Sequence, residues 1–300
     1  MSWGIAVLVV AMAVVAGAFM VSRVPSGSPA LSGGQPDPPR PVSPLSGTTG
    51  SSASSGTRDA PAEPASPPSS LGENWKLSFD AAFTGSRLNT SVWGTCYPWE
   101  AQDGCANYGN SNLEYQWYMP SQDQVKSGAL HIVAQQAPTA GLTQNGSPES
   151  YSFRSGMVTT YPSYRFQYGY LQVVARVPTA KGLWSALWLA AANEQWPPEI
   201  DILEHWDAQP EFWQYYHPAD APREREEESA QNLSGWHTFG VYWGQSEVIW
   251  FLDGRPVMTT SRNVPQQPMY FIANVAVDGK TMTGMDSSML IQSVKVWQRG

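Results

Sequence analysis

Three carboxylates set into an apolar run limit what this 300-residue chain can fold into more than any other feature. The run reads Gly182-Leu-Trp-Ser-Ala-Leu-Trp-Leu-Ala-Ala-Ala-Asn-Glu-Gln-Trp-Pro-Pro-Glu199-Ile-Asp201-Ile-Leu-Glu204-His-Trp-Asp207. Acids among Ile and Leu in a strand are costly on a buried sheet face unless they are used or hydrogen-bonded. In a regular strand, residues two apart share a face, so Glu199 and Asp201 point one way and position 203 comes next. Leu203 stands there instead. A single β-bulge near Ile202-Leu203 inserts the extra residue and returns Glu204 to the face of Glu199 and Asp201. The strand then has one apolar face and one face lined with acid.

The surrounding sequence supports sheets rather than helices. Phe166, Tyr168 and Tyr170 alternate before Val173, and Phe239, Val241 and Trp243 alternate. Leu290, Val294 and Val296 alternate against Ile291, Lys295 and Trp297. Asp253-Gly254, after Val248 to Leu252, is a two-residue hairpin, because that pair accepts the positive φ angles of a type I′ turn. Gly 26 and Pro 25 with only 14% charged residues are unlike a helical bundle. Many short strands with Gly/Pro/Asn turns predict an all-β sandwich or jelly roll.

This block runs from 73 to 300 and reads as one catalytic domain. It contains every Trp except Trp3. Before it, residues 25–72 contain 11 Pro, 12 Ser and 7 Gly with no aromatic, a composition that cannot bury enough apolar surface to offset ordering entropy. A disordered linker is expected there. Residues 1–24 hold the apolar run Gly4 to Val21, which reads as a signal peptide or a membrane anchor. Either reading places the domain outside the cytoplasm, secreted or tethered to a membrane through this segment. Behind an export signal, Cys96 and Cys105 are expected to form a local disulfide.

Charge and composition exclude several functions. Seventeen basic against 25 acidic residues give a net charge of −8, so no global field favours nucleic acid. Four His and two Cys are too few for a Cys/His zinc module with further ligands to spare or for an iron–sulfur cluster, and neither metal nor cofactor is expected.

The acids themselves suggest chemistry. Four strand steps between Glu199 and Glu204 span roughly 13 Å, and side chains leaning inward bring the carboxylates toward the roughly 5–5.5 Å used in retaining glycoside hydrolysis. Glu199 would be the nucleophile and Glu204 the acid/base, its proton held by neighbouring charge, with Asp201 between them tuning both.

The run Glu199-Ile-Asp-Ile-Leu-Glu204, preceded by Gly182-Leu-Trp-Ser-Ala-Leu-Trp188, closely resembles the signature of glycoside hydrolase family 16 in its bulged-strand, laminarinase-like branch. Leu88-Asn-Thr-Ser-Val-Trp93, Glu114-Tyr-Gln116, Arg154-Ser-Gly156, Tyr168-Gly-Tyr170, Trp236-His-Thr-Phe-Gly-Val-Tyr-Trp243, Leu252-Asp-Gly-Arg-Pro-Val257 and Pro268-Met-Tyr-Phe-Ile-Ala-Asn274 follow the family's order. The resemblance implies a concanavalin-like β-jelly roll with an open cleft on its concave sheet. It also implies a retaining endo-β-glycanase with a polysaccharide substrate, acting as a monomer. It assigns catalysis to Glu199, Asp201 and Glu204. Trp184 and Trp188 match cleft positions, Trp206 follows the signature, and Glu114, Asn274 and His217 are further candidates for substrate binding. Trp117, Trp196 and Trp213 fit either cleft or core.

Departures accompany the match. A structural calcium site is frequent in the family, but its positions are here Ala81-Ala82 and Gln292. The Trp common in β-1,3-glucan-cleaving members after Asn274-Val-Ala-Val-Asp-Gly279 is replaced by Lys280-Thr-Met-Thr, which argues against a strictly laminarin-type substrate. A β-glucan-type polysaccharide remains the expected substrate class. The alternatives are a transglycosylase that remodels a wall or capsule glycan and a non-catalytic, lectin-like carbohydrate-binding module.

Overall fold

A computed structural model describes residues 64–98, 114–143, 146–207, 209, 211–219, 222–229, 235–279, 281–283 and 287–300. The N-terminal apolar run, the linker up to Glu63, Cys105 and Lys280 lie outside these residues, and with them the expected anchor and the Cys96–Cys105 bridge.

Strands are numbered along the chain. The described residues form two large sheets and one small one. The eight-stranded sheet runs in the order β15 (Arg255–Thr260), β14 (Val248–Leu252), β13 (His237–Trp243), β8 (Gly169–Arg176), β17 (Ser288–Arg299), β4 (Ala129–Val133), β3 (Asp123–Lys126), and β1 (Trp75–Ala82) also pairs with β17. The six-stranded sheet runs β12 (Glu224–Ser229), β11 (Glu211–His217), β10 (Glu199–Trp206), β9 (Leu183–Ala191), β16 (Met269–Val277), β7 (Met157–Thr159). A three-stranded sheet joins β2 (Gln116–Tyr118), β6 (Pro148–Ser155) and β5 (Gln135–Leu142).

The two large sheets share one apolar core. Leu187, Leu189, Ile200, Leu203, Phe212 and Phe271 of the six-stranded sheet meet Val173, Phe239, Val241, Trp250, Val294 and Val296 of the eight-stranded one. The all-β jelly-roll sandwich is therefore the architecture. Asp253 and Gly254 take φ of 49° and 76°, as the hairpin requires.

Alternation breaks at the start of β8 and within β17. Tyr168 has φ of 59° and Gly169 of 150°, which resets the face at the start of β8, so Leu171, Val173 and Ala175 enter the core while Tyr170 lies on the outer side. Gly169 permits the close crossing, since a Cβ there would lie 2.5 Å from the Trp297 carbonyl oxygen. In β17 the register shifts between Ile291 and Ser293, and Ile291 rather than Leu290 shares the core face with Val294 and Val296.

The composition places the linker through Gly72, yet Pro64–Gly72 already lies against the domain. Pro67 is buried, and the Gln172 amide donates to the Pro64 carbonyl at 3.4 Å. After a 3-10 turn at Ser69–Leu71, the Arg299 guanidinium bonds the carbonyls of Leu71 and Glu73 and lies 4.0 Å over the Trp75 ring. A Pro/Ser-rich composition does not foretell this, because a partner more than 200 residues away supplies the donors.

Candidate active site

The six-stranded sheet has one face in the core and one face turned away from it, and β10 carries the acids on the second. Glu199 pairs with Ala190 of β9, Asp201 with Trp188, and Leu203 already with Leu187, so the register slips by one residue between Asp201 and Leu203. Glu204 then faces Ala186, in line with Glu199 and Asp201. The expected bulge is present at the expected place. Alanines opposite both glutamates leave space above the sheet for their side chains.

A bulge frees main-chain carbonyls from the ladder, and here each finds a donor. The Trp250 indole of β14 reaches through the core to the Asp201 carbonyl oxygen at 2.8 Å, and the Gln214 amide of β11 donates to the Ile202 carbonyl oxygen at 3.3 Å. Both side chains are fully buried. They support the geometry that returns Glu204 to the acid face, and nothing in the motif itself points to them.

All three acids are buried, with exposures of 7%, 3% and 9% for Glu199, Asp201 and Glu204. Each has a partner that limits its freedom. The Trp196 indole donates to Glu199 Oε2 at 3.2 Å, and the Trp184 indole donates to Glu204 Oε1 at 3.0 Å. His217 Nε2 lies 3.5 Å from Glu199 Oε1 and 3.4 Å from Asp201 Oδ2. These are few donors for three carboxyl groups.

The electrostatic consequence is direct. Burial, reinforced by the Asp201 charge, pushes Glu199 up to about 8, against the opposing pull of His217 and the Trp196 N–H. Burial pushes Asp201 up to about 8, with Arg223 opposing. Glu204 is held well above the carboxylate range by burial and then by the charges of Asp201 and Glu199, with the Trp184 N–H and Arg223 opposing. Three such groups cannot all ionise together. A proton kept on Glu204 favours an ionised Glu199, which is the division of roles a nucleophile and a general acid need. Burial lowers His217, which the Glu199 charge partly offsets.

Aromatic rings extend the floor on the Glu204 side. Trp184 and Trp206 stack at 5.4 Å with 21° between planes, and Trp206 meets Trp213 edge-on at 5.1 Å and Tyr215 at 6.1 Å. The exposed Arg223 guanidinium sits 4.7 Å over Tyr215. At the other end Trp196 is 45% exposed and lies 5.6 Å from the His217 ring. Rings with free faces suit the C–H surfaces of sugars.

The sequence candidates separate into two groups. Trp184, Trp206 and His217 stand with the acids. Trp188 stands opposite Asp201, but its indole donates to Asn274 Oδ1 at 2.8 Å. Glu114 and Asn274, expected at sugar hydroxyls, are only 3% and 4% exposed and bond to Tyr118. Trp196 contacts the nucleophile candidate directly, and its place three residues ahead of Glu199 is the sequence signal for it. Tyr118, Gln214 and Trp250 carry no local signal.

Glu199, Asp201 and His217 offer ligand atoms within 4.8 Å of one another, the one such group of three among the described residues. Of the calcium positions, Ala81 and Ala82, opposite Val294 and Ser293, bring no side-chain oxygen for a hard cation, and Gln292 brings one neutral oxygen, Oε1, buried without a hydrogen bond.

Residues 110–295 match the sequence profile of the Glycosyl hydrolases family 16. Two relatives from Rhizobium meliloti (strain 1021), the endo-1,3-1,4-beta-glycanases ExsH and EglC, are 32% and 30% identical over 227 and 221 residues. Each alignment covers 69% of this chain, but 48% and 46% of the relatives, so the chain spans about half the length of the curated relatives it matches. The catalytic domain of an endo-1,3-beta-glucanase (laminarinase) from Thermotoga petrophila RKU-1 superposes with a TM-score of 0.65 at 23% identity, covering 76% of this chain and 99% of that one. That likeness speaks to the fold.

Proposed function

The chain belongs to glycosyl hydrolases family 16, and on that premise we propose that it is a retaining, endo-acting hydrolase of a β-linked glucan. The observation that carries this reading is the bulged acid row: three buried carboxyls on one sheet face, an indole N–H on each glutamate and His217 between the first two.

In this reading the Glu199 carboxylate attacks the anomeric carbon while Glu204 gives its proton to the departing glycosidic oxygen. Glu204, now ionised, takes a proton from water, whose oxygen displaces Glu199 and restores both groups. Asp201 and His217 hold the Glu199 carboxyl in place between steps. The stacked Trp184 and Trp206 support sugars next to the acid/base. The names of the Rhizobium relatives favour a glucan with mixed 1,3- and 1,4-linkages over a purely 1,3-linked one, in agreement with the missing Trp after Gly279. The apolar run Gly4 to Val21 and the Pro/Ser/Gly-rich stretch support export, either secreted or anchored at the cell surface.

Release of reducing ends from β-1,3-, β-1,4- and mixed-linkage glucans, with Glu199→Gln as control, tests the reading. We expect the mixed-linkage glucan to be cut most readily, the first product to keep the β-configuration by proton NMR, and the variant to be inactive. Equal activity of parent and variant would sink the mechanism. Binding without turnover would favour a lectin-like module, and exchange of chain lengths without new reducing ends a transglycosylase.

A further inference from the structure

A buried carboxylate outside the acid row ends a chain of hydrogen bonds that begins beside it. The Trp188 indole donates to Asn274 Oδ1 at 2.8 Å, Asn274 Nδ2 donates to the Tyr118 hydroxyl at 3.1 Å, and that hydroxyl donates to Glu114 Oε1 at 3.2 Å. Polarity fixes every link. An indole N–H only donates, so Asn274 must turn its oxygen to Trp188 and its amide to Tyr118, and Tyr118, having accepted, gives its proton to the carboxylate. Burial, followed by the Glu114 charge, holds the Tyr118 phenol well above its ordinary value, so it keeps the proton it shares.

The anchor is stronger than the chain needs for itself. The Tyr97 hydroxyl and the Gln116 amide also point at Glu114 Oε1, at 3.3 and 3.5 Å. Glu114, Tyr118 and Asn274 are 3%, 1% and 4% exposed. Trp188 is only partly buried and stands opposite Asp201 in the ladder. A tryptophan on a sheet face can turn about its terminal torsion, and a bond at one edge of the ring selects the plane.

We propose that Glu114 is a positioning residue which, through Tyr118 and Asn274, sets the plane of the Trp188 indole as a platform for the sugar lying beside Asp201. The platform role rests on the glycan-cleaving reading above; the hydrogen-bond chain does not. Two measurements separate them, each made on variants whose unfolding stays cooperative.

The first needs no turnover. The indole N–H signal of Trp188, identified by its loss in Trp188→Phe, is followed by hydrogen exchange. Tyr118→Phe and Glu114→Leu should each speed its exchange by about tenfold, while Glu114→Gln, which keeps an acceptor oxygen, should recover most of the protection. An unchanged exchange rate in both Tyr118→Phe and Glu114→Leu overturns the chain.

The second is a double-mutant cycle on KM. Tyr118→Phe should raise KM about fivefold with the pH profile of kcat unmoved, and should add nothing in a Trp188→Phe background that lacks the donor. A rise that persists in that background overturns the platform role, because Tyr118 would then act by another route. A parent that cleaves no glucan defeats the proposed function and leaves the exchange rates to decide the hydrogen-bond chain.

Discussion

Two buried carboxylate sites lie on neighbouring parts of this molecule, and they differ in their donors. Glu114 collects Tyr97, Gln116 and Tyr118 on one oxygen. Across the acid row each glutamate has one indole N–H, and Asp201 Oδ2 is buried without a hydrogen bond, 3.4 Å from His217 Nε2. Similar burial therefore serves opposite ends. A well-bonded carboxylate holds its neighbours still, whereas an under-bonded one keeps a raised proton affinity that can be used in a reaction. The acid row is a locally unfavourable arrangement which the rest of the sandwich overrides.

The contrast should break most sharply under Glu204→Gln, which removes the transferable proton without changing shape. Activity should fall by about 10²–10⁴-fold with the melting temperature held or raised; initial rates and thermal melts on the same preparation check both. A melting temperature lowered by several degrees would place Glu204 with the stabilising class.

Next in size is Trp250→Phe. It leaves the Asp201 carbonyl at the bulge without its donor in a dry core, and we expect about 1–3 kcal/mol of destabilisation together with a fall in kcat greater than the fall for a substitution of similar stability elsewhere in the core. Denaturant melts and kinetics compared with Trp243→Phe, whose indole serves the Pro265 carbonyl and no group of the bulge, test this.

The smallest effect concerns stability against pH and has opposite signs at the two sites. Burial and the Asp201 charge raise Glu199 to about 8 in the folded state, above the ordinary carboxylate range of the unfolded chain, so its ionised, attacking form is the costly one. The parent therefore loses stability as pH rises through that window. Glu199→Gln removes this loss, so its melting temperature should exceed the parent's by a margin that widens from about pH 5 to about pH 8. Glu114→Leu, by removing the acceptor that Tyr97, Gln116 and Tyr118 share, should instead melt below the parent at every pH in that window. A constant offset for Glu199→Gln would contradict the raised proton affinity of the row.

Much of the site was legible because it obeys a local rule. Strand parity alone exposes the misfit of Leu203 between Asp201 and Glu204, and a bulge is the one-residue remedy, found at that register. The same rule misled at β17, where the shift at Gln292 exchanged Leu290 for Ile291 on the core face, because nothing acidic there marks the slip. Glu114 and Asn274 are each candidates for sugar hydroxyls by their place in the motif order, while the bonds they make to Tyr118 have no local signal. Which partner a buried polar side chain meets depends on strands distant in the sequence, and here Tyr118 of β2 bonds both. The linker composition runs on to Gly72 while Arg299, at the far end of the chain, fixes Leu71 and Glu73 against the domain, a contact between residues distant in sequence.

By itself, then, the sequence determined the sheet-rich class, the need for a bulge, the three acids on one face and the aromatic character of their surroundings, since alternation and burial cost act between residues close in the chain. The tertiary structure alone decided which groups serve those acids. Trp250 at the bulge, His217 between two carboxylates and the path from Trp188 to Glu114 join strands that are distant in sequence. Hydrogen bonds of that kind depend on distance and angle in space, and neither is encoded in the local pattern that makes a strand.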